Sequence, residues 1–322
     1  MWIKRIISTH YIGLCNRLEG LALCFACREH YGHAVCLDWP ERQWLAVAGT
    51  KRWIYNPIDK LLGHKLRDPS AEEFHQLGRY RVLIQRGTTG GDAAVLDRLF
   101  MPTMGRLRLW EQGQQRLATY LRQVPPGALL VGVHVRRGDF QRSADPRSFD
   151  IHASRHPQVP LWWYVYAMER VQRQYGNVCF LLSHNMLDLE EEALLRQRFA
   201  VLPALDEGQY HPGGGHAARS NPVLDLYALA CCPVIIASPM STFSHFAAHV
   251  LGPASLALQP WPRMSSDAPG VGITPHLAGL RSPAWTESLT QLRGYQCLGE
   301  TDPLPLPARG VFDGWFQTPR ER

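Results

Sequence analysis

The residues most ready for chemistry lie in "LLVGVHVRRGDFQRS", positions 129–143. An apolar run rises to His134, and Arg136 and Arg137 then stand side by side before Gly138 and Asp139. In an open α/β sheet, the carboxyl end of a strand is where ligands bind. Arginine presents a planar, permanently charged fork of donors that matches a phosphate or diphosphate in bidentate fashion. Successive strand residues point to opposite sides, so only one of the two arginines need face an anion. The other can pair with Asp139, with Gly138 permitting the sharp turn between them. A surface salt bridge at a strand end fits the same residues equally well.

Two other stretches could meet an anion. In "GLCNRL", positions 13–18, Gly13 lets backbone approach a ligand, the following helix offers free N–H groups, and Asn16 adds an amide. In "SPMSTFSHF", positions 238–246, three hydroxyls (Ser241, Thr242 and Ser244) crowd a helix start. One hydroxyl suffices for an N-cap, and three suit a phosphate cradle. The P-loop pattern GxxxxGK is absent, which excludes a nucleotide hydrolase of that kind. "RGTTGGD" at 86–92 reads as a flexible loop, and "LEEEAL" at 189–194 as a solvated helix face. His152 and His156 have i,i+4 spacing, but Pro157 disfavours a helical metal face.

The elements that must position these residues alternate between strand and helix. "WIKRIIST", a turn, the helix "LEGLALCFACREHYG" stopped by Gly32, and the strand "HAVCLDW" form a β-loop-α-β unit suited to a parallel sheet. The stretch 40–127 is mixed and rich in Trp, with a strand at "RYRVLIQ" and helical pattern near 94–100 and 106–122. "VPPG" at 124–127 is the best boundary signal. Beyond it come the strand "ALLVGVHV", the helix "LWWYVYAMERVQRQYG", the strand "NVCFLLSHN" and the helix "DLEEEALLRQRF". After a Gly-rich insert follow "PVLDLYALACC" (helix), "PVIIAS" (strand) and "FSHFAAHVL" (helix). Two β/α halves facing each other across a cleft are expected. Residues 1–125 form an N-terminal domain, 126–300 a ligand-binding domain, and 301–322 a wrapping tail.

Composition sets the outer limits. Hydrophobic residues make up 45% and charged residues 19% of the 322, an ordinary globular balance that argues against disorder. A net charge of +6 is too weak to require nucleic acid. Only four of the 34 basic residues are Lys, a bias that a GC-rich genome explains. The eight cysteines lack zinc-ribbon spacing, and Cys24 and Cys27 fall inside an apolar helical pattern. They read as reduced, mostly buried thiols of a cytoplasmic protein. No cleavable signal opens the chain, and no apolar run is long enough to span a membrane.

In their order along the chain, "GLCNRL" with the later "VCLDW", "HVRRGD", and "LDLYALACCPVIIASPMSTFS" resemble the fucosyltransferase superfamily. That superfamily includes α-1,2- and α-1,6-fucosyltransferases and protein O-fucosyltransferases. "LDW" and the doubled arginine are most similar to bacterial chitin-oligosaccharide α-1,6-fucosyltransferases. The resemblance covers three separated blocks between positions 13 and 246. It implies a GT-B fold, two facing Rossmann-like domains, with the donor GDP-fucose held mainly by the second.

By position, the resemblance makes Arg136 the essential arginine at the β-phosphate, with Arg137 beside it in the donor site. His134 and Asp225 would lie by the nucleoside, Ser241, Thr242 and Ser244 would cradle the diphosphate, and Gly13 to Asn16 would close over the phosphates. The family uses no divalent metal and no cofactor beyond the donor substrate. Where some relatives carry acidic residues, this chain has His184 and Asn185. The implied reaction is inverting transfer of fucose to a glycan acceptor in oligosaccharide or polysaccharide biosynthesis, with Asp145 as a candidate base. Trp39, Trp44 and Trp53 could stack on acceptor sugars or simply pack the core. A binding protein without activity, or a transferase of another GDP-linked deoxysugar, are the alternatives. Without a spanning segment, attachment to the inner membrane would be peripheral.

Overall fold

The computed structural model describes residues 3–87, 90–138, 140–154, 156–205, 221–252, 256–274 and 295–307. The chain divides into two compact units, Met1–Gln112 and Gly113–Arg322. In the first, strands β1 (Arg5–Thr9), β2 (Ala34–Asp38), β4 (Lys51–Arg52), β5 (His64–Leu66) and β6 (Val82–Gln85) form a parallel sheet. Its order is β4-β2-β1-β6-β5. Every residue of β1 is buried, as expected for a central strand covered on both faces. Helix α1 (Leu14–Tyr31) is buried almost all round from Leu14 to Cys27, and α4 (Ala93–Met104) packs beside it. Gly32 ends α1 in the left-handed region (φ 73°), its N–H donating to the Arg28 carbonyl at 3.0 Å. Helices α2 (Pro57–Leu62) and α3 (Ala71–Gln76) are short and capped by Asn56 and Ser70.

The pattern near 106–122 resolves differently from the expected single helix. Leu107 and Leu109 alternate with Arg108 in β7 (Leu107–Leu109), which pairs antiparallel with β3 (Leu45–Val47). Helix α5 (Glu111–Leu121) begins only after it. Two buried leucines at a spacing of two fit a strand as well as a helix end, and the partner strand decides.

The second unit holds a six-stranded sheet of β8 (Leu129–Arg136), β10 (Val178–Asn185), β11 (Val234–Ile236), β12 (Leu256–Pro260), β14 (Val271–Thr274) and β15 (Gln296–Leu298). Its order is β10-β8-β11-β12-β14-β15, the first four parallel and β14 antiparallel to both of its neighbours. A small antiparallel pair, β9 (Ser148–Asp150) with β13 (Arg263–Ser265), stands apart. Helix α6 (Leu161–Tyr175) buries Trp163, Tyr164, Ala167, Met168 and Val171 in one core with Val131, Val133 and Val135 of β8. Helices α7 (Leu189–Arg198) and α8 (Pro222–Ala230) follow β10. α8 comes so close to β8 that a Cβ on Gly132 would lie 2.7 Å from Leu229. Helix α9 (Thr242–Phe246) runs on into a π-helical turn, Ala247–Leu251.

β14 and β15 were invisible to periodicity because both are short and sit in Pro- and Gly-rich text. The chain after them is held on α6: Arg170 donates to the carbonyls of Gly299 and Asp302 at 2.6 and 2.7 Å. Leu304 is buried in the same core. The remainder of the expected tail, and most of the Gly-rich insert, lie outside the described residues. Seven of the eight cysteines are buried, and Cys297 is exposed. No helix among the described residues is long and apolar enough to cross a membrane.

Candidate active site

From β8 the chain moves to one side to make β10, then returns to the other side for β11. Such a reversal opens a crevice at the carboxyl ends of the strands that flank it, here β8 and β11. One hydroxyl stitches those two ends together. Ser238 Oγ donates to the His134 carbonyl at 2.9 Å and accepts from the Arg136 N–H at 2.9 Å. Its only proton is then committed, so the contact with Tyr164 Oη at 2.7 Å has the phenol as donor. Burial pushes the Tyr164 phenol up to about 12, which keeps that proton in place.

Arg136 and Arg137 diverge as strand alternation requires. Arg137 is buried, and its Nε and Nη2 reach Glu191 of α7 at 3.3 and 2.9 Å while Nη1 donates to the Val159 carbonyl at 2.5 Å. Its ion partner is therefore Glu191, and Asp139 lies outside the described residues. The same pair corrects the reading of "LEEEAL" as a merely solvated face, since Glu192 is also engaged, by Arg196 at 2.9 Å. Arg136 stays half-buried at the strand end, its guanidinium carbon 5.8 Å from the centre of the Phe140 ring. Gly138 has φ 25°, and a Cβ there would lie 2.5 Å from the Asn185 side chain, whose Oδ1 accepts from the Arg137 N–H at 2.8 Å. A side chain at that turn would be strained.

His134 is buried, with its ring 5.1 Å from that of Phe243. Burial, then the Arg136 charge and then His184, push its pKa down to about 3, so the imidazole is neutral. Its Nδ1 has no hydrogen-bond partner among the described residues. The register partner of His134 on β10 is Ser183, whose Oγ donates to the buried Asp225 carboxylate at 3.2 Å. Asp225 sits in the first turn of α8, placed by the Asn221 cap. The structure thus gathers Asp225, Ser183, His134, Arg136 and Ser238 in one row of neighbours.

The hydroxyl cluster divides in two. Ser244 Oγ donates back to the Ser238 carbonyl at 3.2 Å, a local structural bond. Ser241 occupies the N-cap position of α9 but its side chain makes no capping bond, and half-buried Thr242 follows it. Met240 before them is held at φ 57°, a left-handed conformation costly for a residue with a side chain. Asp145 is on an exposed turn before β9, accepting the Arg147 N–H at 2.9 Å. His152 and His156 lie in irregular chain, and His156 stacks on Phe140.

Gly13 and Asn16 belong to the first unit. Gly13 is the N-cap of α1, and a Cβ there would meet open space, so neither backbone nor crowding demands glycine. Asn16 is half-buried, its Oδ1 enclosed and without a hydrogen-bond partner among the described residues. Next to it, Arg17 fixes the loop: Nε donates to the Ile12 carbonyl at 2.8 Å, and Nη1 and Nη2 grip Glu41 at 3.0 and 2.6 Å. Burial raises the Glu41 carboxyl, but the Arg17 charge and hydrogen bonds outweigh it and hold the pKa below the usual value. Trp39 is buried against Ser8, and Trp53 donates to Asp59, so both serve packing. Trp44 is half-buried.

Ser238, Ser183, Tyr164 and Glu191 escaped the reading of the sequence. Ser238 and Ser183 at least stand at strand carboxyl ends, inside "SPMSTFSHF" and "NVCFLLSHN". Tyr164 and Glu191 lie on helices with no local signal, and act only through tertiary contact.

No protein-family model and no curated protein sequence matches the chain. Among solved structures, the fold matches fucosyltransferase NodZ from Bradyrhizobium at TM-score 0.53 and 15% identity, over 86% of this chain and all of that one (100%). NodZ α-1,6-fucosyltransferase soaked with GDP-fucose matches at TM-score 0.52 and 15% identity, over 85% and 99% of the two chains. A mutant of FUT1 from Arabidopsis thaliana in complex with GDP matches at TM-score 0.52 and 12% identity, over 84% and 74%. At such identity the likeness is one of fold: α/β, of the GT-B type.

Proposed function

We propose that the chain is an inverting, metal-independent fucosyltransferase that moves fucose from GDP-fucose to a hydroxyl of a glycan. The observation that carries this reading is the separation of the two arginines. Glu191 locks Arg137 into the fold, while the Arg136 backbone N–H is held by Ser238 at the carboxyl end of β8. One permanent cation is fixed where the fold takes ligands. The solved structures of the same fold that contain GDP-fucose or GDP lend support.

In the proposed reaction the bond from fucose C1 to the diphosphate oxygen breaks, and its electron pair stays on GDP. The sugar becomes oxocarbenium-like, and the acceptor oxygen attacks from the opposite face. Arg136 neutralises charge growing on the β-phosphate, the kind of fixed stabilisation that otherwise falls to a metal. Ser241 and Thr242 donate to the diphosphate. Asp225 and the buried Nδ1 of His134, which has no hydrogen-bond partner among the described residues, are assigned to the nucleoside. Gly13 and Asn16 are assigned as further donor contacts, and Asp145 as the carboxylate that takes the acceptor proton. Arg137 and Ser244 act as positioning residues.

Thermal shift of the full chain with GDP, UDP and dTDP tests the donor class. GDP should raise Tm where UDP and dTDP do not. Donor hydrolysis followed by an acceptor screen then tests turnover. Binding of GDP with no turnover on any acceptor would favour a non-catalytic binding protein, and preference for UDP would refute the donor assignment.

A further inference from the structure

Segment 51–67 of the first unit has a surface that the donor-site reading does not use. Ile54 is 75% exposed, Ile58 54%, Leu61 83% and Leu62 53%, all within a few residues of one another. A protein surface ordinarily scatters such side chains singly, and clusters mark places of interaction. Lys51, Arg52, Lys60, Lys65 and Arg67 are exposed in the same segment, which holds three of the four lysines of the chain. The segment's one carboxylate, Asp59, is buried and spent on Arg5 and on Trp53 Nε1, at 2.6 and 2.7 Å. Every exposed ionic group of the segment is therefore cationic.

The topology spreads these groups. β4, with Lys51 and Arg52, is one edge of the sheet, and β5, with Lys65, is the other. Four strand spacings of ~4.8 Å put the edges about 19 Å apart. The bond from Asp59 to Arg5 pins α2 over the central strand β1, while Trp53 and Tyr55 pack inward on Ile7, Cys36 and Val82. An apolar ridge is thus flanked on both sides by cations.

We propose that this surface docks on a bilayer rich in anionic headgroups, as a peripheral contact. The apolar side chains enter the boundary between headgroups and acyl chains, and the cations meet headgroup phosphates. A second copy of the same surface would bring like charges together, which disfavours self-association as its purpose.

Cosedimentation of the full chain with vesicles tests this. Binding is expected to phosphatidylcholine vesicles containing phosphatidylglycerol, not to phosphatidylcholine alone, and should weaken as salt shortens the screening length. Lys60→Gln and Lys65→Gln should each lower binding about fivefold, the effect of one cation near an anionic surface. Ile54→Ser with Leu61→Ser should lower it about tenfold or more. Arg122→Gln, an exposed cation of the second unit, should change nothing, and unaltered Tm would show that the variants remain folded. Equal binding to both vesicle types, binding to neither, or a dimer in solution that Leu61→Ser dissolves would overturn the proposal.

Discussion

Arg136 and Arg137 carry the same charge one residue apart, and strand alternation sends them to different environments. Loss of Arg137 should therefore show in stability. Arg137→Ala leaves Glu191 and the Val159 carbonyl without their partner, and about 2–3 kcal/mol should be lost, read from denaturant unfolding. His134 makes a prediction about pH. Its folded pKa of about 3 lies below its unfolded value of 6.5, so the unfolded chain binds the extra proton between those limits. Stability from this group is complete above pH 6.5 and falls as pH drops towards 3, at up to about 1.4 kcal/mol per pH unit. His10 and His33, lowered chiefly by burial, add to the same trend. His134→Gln should remove about one proton from the measured slope, and an unchanged slope would contradict the buried neutral imidazole. At this scale the sequence marked Arg136, His134 and Asp225 through local motif and order. It could not reveal Glu191, which lies 54 positions from Arg137 and pairs with it only once α7 packs.

Among elements, the carboxyl end of β8 depends on two small residues. Ser238→Ala would strip the Arg136 N–H, the His134 carbonyl and the Tyr164 phenol of a shared partner. A stability loss of about 1–3 kcal/mol is expected. Turnover should fall more than donor affinity, because Arg136 is mispositioned while the rest of the site remains. Gly138→Ala should cost about 1–2 kcal/mol, since φ 25° and the nearby Asn185 side chain both oppose a Cβ. Tyr164→Phe offers a milder comparison, removing one donor and leaving the stitch. The long helices α1 and α6 and the apolar strands β1, β8 and β10 were legible because their periods persist over several turns or residues. β7, β14 and β15 were not, because three or four residues hold too little pattern and their strand character comes from a partner.

At the scale of the molecule, both units are α/β layers whose strand order reverses beside a strand that carries or precedes a candidate motif: β1 before "GLCNRL" in one, β8 through "HVRRGD" in the other. Fold class followed from the alternation of elements, whereas roles within the site rest on single side chains. If Arg136 replaces a metal at the leaving group, activity should persist in excess EDTA, and strict dependence on magnesium or manganese would contradict that role. The most direct test of the central claim is steady-state release of GDP from GDP-fucose, with a glycan acceptor, by wild type, Arg136→Lys and Arg137→Lys. A point charge lacks the planar fork, so Arg136→Lys should lower kcat at least about a hundredfold with its Tm unchanged. Arg137→Lys should lower kcat far less while reducing Tm. Equal and mild losses of turnover at both positions would contradict the account, and would leave Arg136 as no more than a charge at the end of a strand.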